Sequence, residues 1–319
     1  MKVLALAGGV GGAKLADGLA QALNPGELTV VVNTGDDFDH LGLRICPDLD
    51  TVCYTLAGIA NPITGWGRAG ETWNALNSLA ELGGPTWFRI GDRDLGTHLE
   101  RTALLREGQS LTSITRKFCQ IWGVKHTVLP MSDEPVRTMV FSDEGELEFQ
   151  DYFVRRQCRP HVSGFHFNSV EASLPAPGVL KAVTEASLVV FCPSNPWVSI
   201  DPILSVPGVR SELRSNLDKG KPVIAVSPII GGQTVKGPAA KMYEELGVQP
   251  SALAVGQHYG AFQMGGLLTG FVLDRIDAGQ DTSLAELGVQ TLVTDTIMHN
   301  SEDRLRLANE ILQFGKISA

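Results

Sequence analysis

The sequence predicts an α/β fold: a Rossmann-like, mainly parallel sheet with helices on both faces and an inserted helical subdomain. Three observations carry that prediction. Short apolar runs alternate with helix-spaced segments over most of the chain. The first run enters a glycine-rich turn, Gly8-Gly9-Val10-Gly11-Gly12. One stretch, residues 51–123, drops the alternation and reads almost entirely as helices. Residues 1–50 and 124–319 are thus expected to form the core, with 51–123 inserted into it.

Lys2 to Ala7 is an apolar strand, and the run after Gly12 has helical spacing. Four glycines in five residues let the backbone take positive φ and let a ligand come close to the main chain. A helix starting there aims its unpaired N–H groups at the turn, a ready phosphate site. Two standard phosphate loops do not match. The dinucleotide fingerprint needs a third glycine where Lys14 stands, and a P-loop meets Ala13 and Leu15 where glycine and a hydroxyl belong. A nicotinamide-dependent oxidoreductase is therefore disfavoured.

Leu28 to Asn33 is a second buried strand ending in Thr34-Gly35-Asp36-Asp37. Helices are expected over Asp48–Gly58, Glu71–Leu82, Leu95–Glu107 and Leu111–Trp122, the third on the spacing of Leu95, Leu99, Ala103 and Leu104. Thr127 to Leu129 returns to strand. Val136–Phe141 and Glu146–Val154 flank Ser142-Asp143-Glu144-Gly145 as a hairpin. Strands at Leu188–Cys192, Pro222–Val226, Gly270–Leu273 and Val289–Val293 follow, and Asp303–Phe314 closes the chain as a helix.

Composition bounds the function. Hydrophobic content of 43% and charged content of 19% are ordinary for a soluble globular enzyme. A net charge of −9 argues against nucleic acid or an anionic membrane as partner, so an anionic ligand must be held by local groups. No apolar stretch is long enough to span a bilayer, and Met1-Lys2 leads straight into the first strand. Five cysteines without a C-x-x-C pair read as reduced thiols of a cytoplasmic protein.

Four polar turns follow apolar runs: Gly8–Gly12, Asn33–Asp37, Pro193–Asn195 and Ser227–Gly232. In a parallel sheet all four lie on one edge and can converge on one ligand. Asp36, Asp37, Asp48 and Asp50 crowd nearby, and carboxylates beside phosphates commonly hold Mg²⁺; helix capping by Asp48 or Asp50 is the plainer alternative. Arg89-Ile90-Gly91-Asp92-Arg93-Asp94 reads as a charged turn, either a surface ion-pair knot or an anion-binding arginine. Trp66, Trp73, Trp87 and Trp122 could stack on a flat ligand or pack a core. His98 and His126 lack metal-ligand spacing with other histidines, and no Ser-His-Asp order is evident.

The blocks Gly8 to Leu15, Asn33 to Asp37, Ile45 to Gly58, Gly91 to His98 and Pro193 to Pro196 closely resemble the 2-phospho-L-lactate transferase (CofD) family of coenzyme F-420 biosynthesis. The resemblance covers essentially the whole chain. It implies a transferase that moves a phospholactyl or phosphoenolpyruvyl group from a guanosine diphosphate conjugate to the ribityl hydroxyl of a deazaflavin, releasing GMP, with Mg²⁺. It implies that Asp50 and Arg89 contact the deazaflavin, with Asp50 catalytic, and that the protein is a homodimer. On this reading Gly9, Val10, Gly11, Gly12, Ser194 and Asn195 bind the nucleotide, and Asp36 and Asp50 hold the metal. A distant similarity to a sister family of nucleotide-sugar-binding regulators supplies the alternative, a non-enzymatic role.

Overall fold

The computed structural model describes residues 1–317; residues 318 and 319, counted with the core above, lie outside that range. Strand β1 (Val3–Ala7) runs into helix α1 (Gly9–Ala22) and returns to β2 (Leu28–Val32). A short hairpin, β3 (Phe38–His40) and β4 (Leu43–Ile45), precedes helices α2 (Pro47–Leu56), α3 (Asn74–Glu81), α4 (Asp92–Arg106) and α5 (Leu111–Ile121). Strand β5 (Thr127–Pro130) rejoins the main sheet. Then β6 (Arg137–Ser142), β7 (Gly145–Glu148) and β8 (Val162–Asn168) form a small antiparallel sheet. Next come α6 (Val179–Glu185), β9 (Leu188–Phe191), α7 (Asp201–Ser205), α8 (Val209–Leu217) and β10 (Val223–Val226). A two-residue-per-strand hairpin, β11 (Ile229–Ile230) and β12 (Gln233–Thr234), leads to α9 (Ala239–Glu245) and α10 (Ala252–Tyr259). The chain ends with β13 (Gly270–Asp274), α11 (Asp281–Glu286), β14 (Gln290–Thr294) and α12 (Ser301–Ile317).

The main sheet has seven strands in the order β5-β2-β1-β9-β10-β13-β14, and every pairing is parallel. The chain winds outward from β1 in one direction and then from β9 in the other. The reversal falls between β1 and β9, the place where doubly wound sheets open a ligand crevice. The four polar turns follow β2, β1, β9 and β10, which are adjacent in the sheet. They therefore share one edge, as the alternation predicted.

Period-two alternation in β1 explains why helices cover both faces. Val3, Ala5 and Ala7 enter a core with α1, α2 and α12, while Leu4 and Leu6 enter another with α6, α7, α8 and α10. A one-residue slip would exchange the two sets, so the register is fixed. Helix α1 carries Gly18 in its interior because the Arg304 carbonyl of α12 occupies the space a Cβ would need. All five cysteines are free thiols; Cys53 and Cys119 approach to 3.6 Å without bonding covalently. No helix among the described residues is long and apolar enough to cross a membrane.

Several local readings differ from the sequence expectation. Helix α1 starts at Gly9, not after Gly12, so the glycines form its first turn. The second strand of the hairpin stops at Glu148, since Phe149 and Tyr152 are both buried at a three-residue spacing and the chain coils over Asp151–Arg155. Helix α4 does not bury Leu99, which is 52% exposed; it buries Thr97, His98, Arg101, Thr102 and Leu104. Strands β3, β4 and β8 were not anticipated. Three-residue strands are too short to show a period, and Gly164 interrupts the third.

Candidate functional site

The first turn of α1 is built against the turn after β9. Gly8 donates its N–H to Ser194 Oγ at 3.2 Å, and that hydroxyl donates to the Gly8 carbonyl at 2.8 Å. A Cβ on Gly12 would sit 2.6 Å from Ser194 Oγ, and one on Gly11 would strike the Pro193 carbonyl oxygen. These glycines are needed for close approach; only Gly9, at φ +62°, also needs the left-handed backbone. The Gly9 N–H is taken by Asp48 Oδ1 at 2.6 Å. Val10 and Gly11 follow as first-turn residues, whose N–H groups have no partner inside a helix. Asn195 lies at the same crevice, but its carbonyl caps Trp197 N at 3.1 Å and its amide lies 3.2 Å from Met242 Sδ.

Asn33, fully buried at the end of β2, organises the carboxylates beside this turn. Its side-chain amide donates to Asp36 Oδ1 at 3.0 Å, to Asp48 Oδ2 at 3.0 Å and to the Val198 carbonyl at 3.1 Å. Gln150, just beyond β7, donates to Asp36 Oδ2 at 3.2 Å. Burial raises the Asp36 carboxyl well above its ordinary range, and the charges of Asp48 and Asp37 push it further. Burial also raises Asp48 to about 6, against hydrogen bonds from Asn33 and Gly9. Asp37 rises to about 7 by burial, opposed by Cys46 and by Arg101, Arg44 and Arg137. Asp37 Oδ1 is buried without a hydrogen-bond partner. Asp48 thus caps α1 rather than its own helix, whose first residue is preceded by Cys46 with no side-chain cap.

Asp50 lies two residues further along α2, so it faces a different side from Asp48. Arg101 of α4, 2% exposed, donates to Asp50 Oδ1. His98 Nδ1 is 3.7 Å from Asp50 Oδ2, and His98 Nε2 is 3.6 Å from Asp94 Oδ1. Tyr54 donates its hydroxyl to Asp94 Oδ1 at 2.6 Å. Burial would raise Asp94, yet the hydrogen bonds from His98 and Tyr54 outweigh it and hold the carboxyl below its ordinary range. Burial raises Asp50, while Arg101 and His98 pull it back. Asp50 Oδ2 is buried without a hydrogen-bond partner. Asp50, Asp94 and His98 offer ligand atoms within 4.8 Å of one another. The structure brings Asp36 to Asp48 through Asn33, and Asp50 to Arg101.

The charged segment 89–94 is neither a turn nor an ion-pair knot. Asp92 opens α4 and accepts the N–H groups of Asn74 and Ala75, each at 3.0 Å, at the start of α3. Glu71 returns the favour, accepting from Arg93 N at 2.8 Å and Asp94 N at 2.9 Å. Arg89 is exposed, 4.4 Å above the Trp73 ring, and makes no ion pair among the described residues. Trp122 packs on Tyr54 and Phe118, and Trp87 on Phe38 and His40, both as core contacts. Trp73 carries Arg89, and Trp66 is exposed.

Sequence reasoning missed Arg101, Gln150 and the organising role of Asn33. One signal was available: Asp94, His98 and Arg101 recur at i, i+4 and i+7, a polar stripe on one helix face. Gln150 gives none, because tertiary folding alone brings it across from the small sheet. A further link spans the crevice mouth, where Lys236 donates to the Thr64 carbonyl at 2.6 Å and Gly65 packs on Val10.

The profile of the family described as 2-phospho-L-lactate transferase CofD matches residues 3–300. A phosphoenolpyruvate transferase of Streptomyces coelicolor is 41% identical over 317 residues, covering 98% of this chain and 97% of its own. Proteins of the same name from Thermobifida fusca and Mycolicibacterium smegmatis are 43% and 42% identical, each covering 92% of this chain and 91% and 94% of their own. In structure, a UPF0052-family protein of Bacillus halodurans superposes with a TM-score of 0.60 at 16% identity, over 98% of both chains, which speaks to the fold alone.

Proposed function

This chain belongs to the 2-phospho-L-lactate transferase CofD family, the transferases of coenzyme F-420 biosynthesis, and from that membership we propose its reaction. It transfers a phosphoenolpyruvyl group from a guanosine diphosphate conjugate to the ribityl hydroxyl of a deazaflavin. The hydroxyl oxygen attacks the distal phosphorus, its proton passes to solvent, and the phosphorus–oxygen bond to GMP breaks. Relatives named phosphoenolpyruvate transferase at about 40% identity favour the enolpyruvyl over the lactyl group. The observation that carries the reading is the meeting, at the β1/β9 reversal, of the glycine-led α1 with a set of buried aspartates.

In this reading Gly9, Val10, Gly11 and Gly12 with Ser194 and Asn195 form the nucleotide's phosphate cradle. Gly11 and Gly12 let the β9 turn close against α1, so main-chain donors rather than side chains meet the phosphates. Asp50 accepts a hydrogen bond from the attacking hydroxyl and orients it, and Arg89 contacts the deazaflavin. Such a transfer needs positioning and charge neutralisation more than covalent work by the protein.

The donor set fits a hard divalent cation. Asp36 and Asp48 are buried, among the described residues no cationic side chain is bonded to either, and Asp37 keeps a buried oxygen without a hydrogen-bond partner. Asp36 with Asp48 would hold Mg²⁺ beside the glycine turn, whereas Asp50, on another side of α2, groups with Asp94 and His98. When bound, the ion supplies charge neutralisation for the phosphate oxygens. We place the working protein in the cytoplasm as a homodimer, on the family resemblance. The regulator alternative gains nothing from the Bacillus halodurans likeness, which is too distant in sequence to speak of function.

The test is to mix purified protein with deazaflavin, Mg²⁺ and either the enolpyruvyl or the lactyl conjugate, and to follow products by mass. The reading expects GMP and a deazaflavin bearing enolpyruvyl phosphate, with slower turnover of the lactyl donor. GMP formation that ignores the deazaflavin, or none at all, would contradict it.

A further inference from the structure

We infer that Arg101 is a positioning residue for Asp50: it fixes one carboxylate oxygen and so presents the other in a single orientation. The inference rests on the reading of Asp50 as the residue that orients the acceptor hydroxyl. Its observations are independent of that reading. Arg101 is among the largest fully buried side chains of the protein. Burying a guanidinium costs more than its ion pair returns unless its donors are well matched, and an apolar side chain often serves stability equally well. Here both terminal nitrogens have partners. One terminal nitrogen donates to Asp50 Oδ1; the other donates to the Arg44 carbonyl at 3.3 Å and to His98 Nδ1 at 3.3 Å.

The other ring nitrogen of His98, Nε2, faces Asp94 Oδ1 at 3.6 Å. Tyr54 holds Asp94 from the other side. Asp50, Arg101, His98, Asp94 and Tyr54 thus form one chain of contacts between α2 and α4. The chain ends on Asp50 Oδ2, which has no hydrogen-bond partner. A purely structural ion pair would gain by engaging both oxygens, since arginine and carboxylate readily pair in a bidentate fork. Arg101 engages one and spends its second nitrogen on fixing its own position.

The experiment compares Asp50→Asn, Arg101→Lys and the double variant Asp50→Asn/Arg101→Met. It measures kcat, KM for both substrates, GDP affinity and thermal midpoint in Mg²⁺. The double variant removes both charges together, so neither is left buried and unpaired. If Arg101 acts through Asp50, adding Arg101→Met to Asp50→Asn costs less than about twofold further in kcat. Arg101→Lys keeps the charge but loses the fixed fork, and should lower kcat about tenfold or more while KM for the nucleotide and GDP affinity stay put. The inference is overturned if the double variant is at least tenfold slower than Asp50→Asn. It is equally overturned if Arg101→Lys keeps the parent kcat, or if it loses GDP affinity in step with rate. Should Asp50→Asn itself turn over like the parent, the role given to Asp50 falls, and that result is distinct from either failure of Arg101.

Discussion

The Asp48 carboxylate accepts the backbone N–H of Gly9 at 2.6 Å, which puts an acidic group at the positive end of α1 before any ligand arrives. A phosphate entering this helix terminus must share it with that carboxylate. Two like charges at one helix end are tolerable only if a cation joins them or the carboxyl takes a proton. Burial already raises the Asp48, Asp37 and Asp36 carboxyls, so each takes a proton more readily than a free carboxylate.

The first prediction concerns pH and metal. Asp48 is raised to about 6 and Asp37 to about 7, so the folded state binds their protons more tightly than the unfolded chain does. Their contribution favours the fold at low pH and is lost as pH rises from about 4 to about 7. A cation binds the ionised carboxylates and offsets that loss. The Mg²⁺-induced rise in thermal midpoint should therefore be larger at about pH 8 than at about pH 5, and Asp36→Asn should raise the Mg²⁺ concentration needed to produce it. Equal rises at both pH values would mean that Mg²⁺ does not engage these groups.

A second prediction concerns Gly11. Its backbone is ordinary helix, so the obstacle to a side chain is the Pro193 carbonyl oxygen, not a forbidden φ. Gly11→Ala should push the β9 turn off α1 and weaken GDP binding at least tenfold, about 1.4 kcal/mol, by calorimetric titration. Circular dichroism checks that the variant is folded. Undiminished GDP affinity in a folded variant would leave the close approach without a role in binding.

Arg89 should behave differently. Its contact is a cation–π stack on Trp73 at the surface, so Arg89→Ala should move stability by less than about 0.5 kcal/mol. Deazaflavin binding, followed by its absorbance or fluorescence, should weaken while GDP binding holds. Loss of both ligands together would remove Arg89 from the acceptor site.

Much of this architecture was legible because it rests on local chemistry. β1 and β9 are uninterrupted apolar runs, and the turns after them carry glycine, proline or asparagine, so the sheet and its ligand edge could be read directly. The helices of 51–123 were found by spacing, and Leu104 of α4 is buried as that spacing implied, but Leu99 is not. Leu99 is exposed there because the interior is occupied by Arg101 and His98, whose burial is supported by Asp50 and Asp94. No hydrophobic pattern reports a face whose burial depends on charge pairing across two helices. The same holds for Asn33 and Gln150, whose partners lie 15 and 114 residues away.

The most direct measurement is deazaflavin-dependent GMP release by the parent and by Asp50→Asn, with GDP affinity determined in parallel. Replacing the carboxylate by an amide keeps its shape and removes its charge. If Asp50 orients the attacking hydroxyl, turnover should fall on the order of 100-fold, corresponding to ~3 kcal/mol of transition-state stabilisation. GDP affinity should be unchanged, because Asp50 faces Arg101 while Asp48 faces the glycine turn. Turnover within about twofold of the parent, less than ~0.5 kcal/mol, would contradict the account.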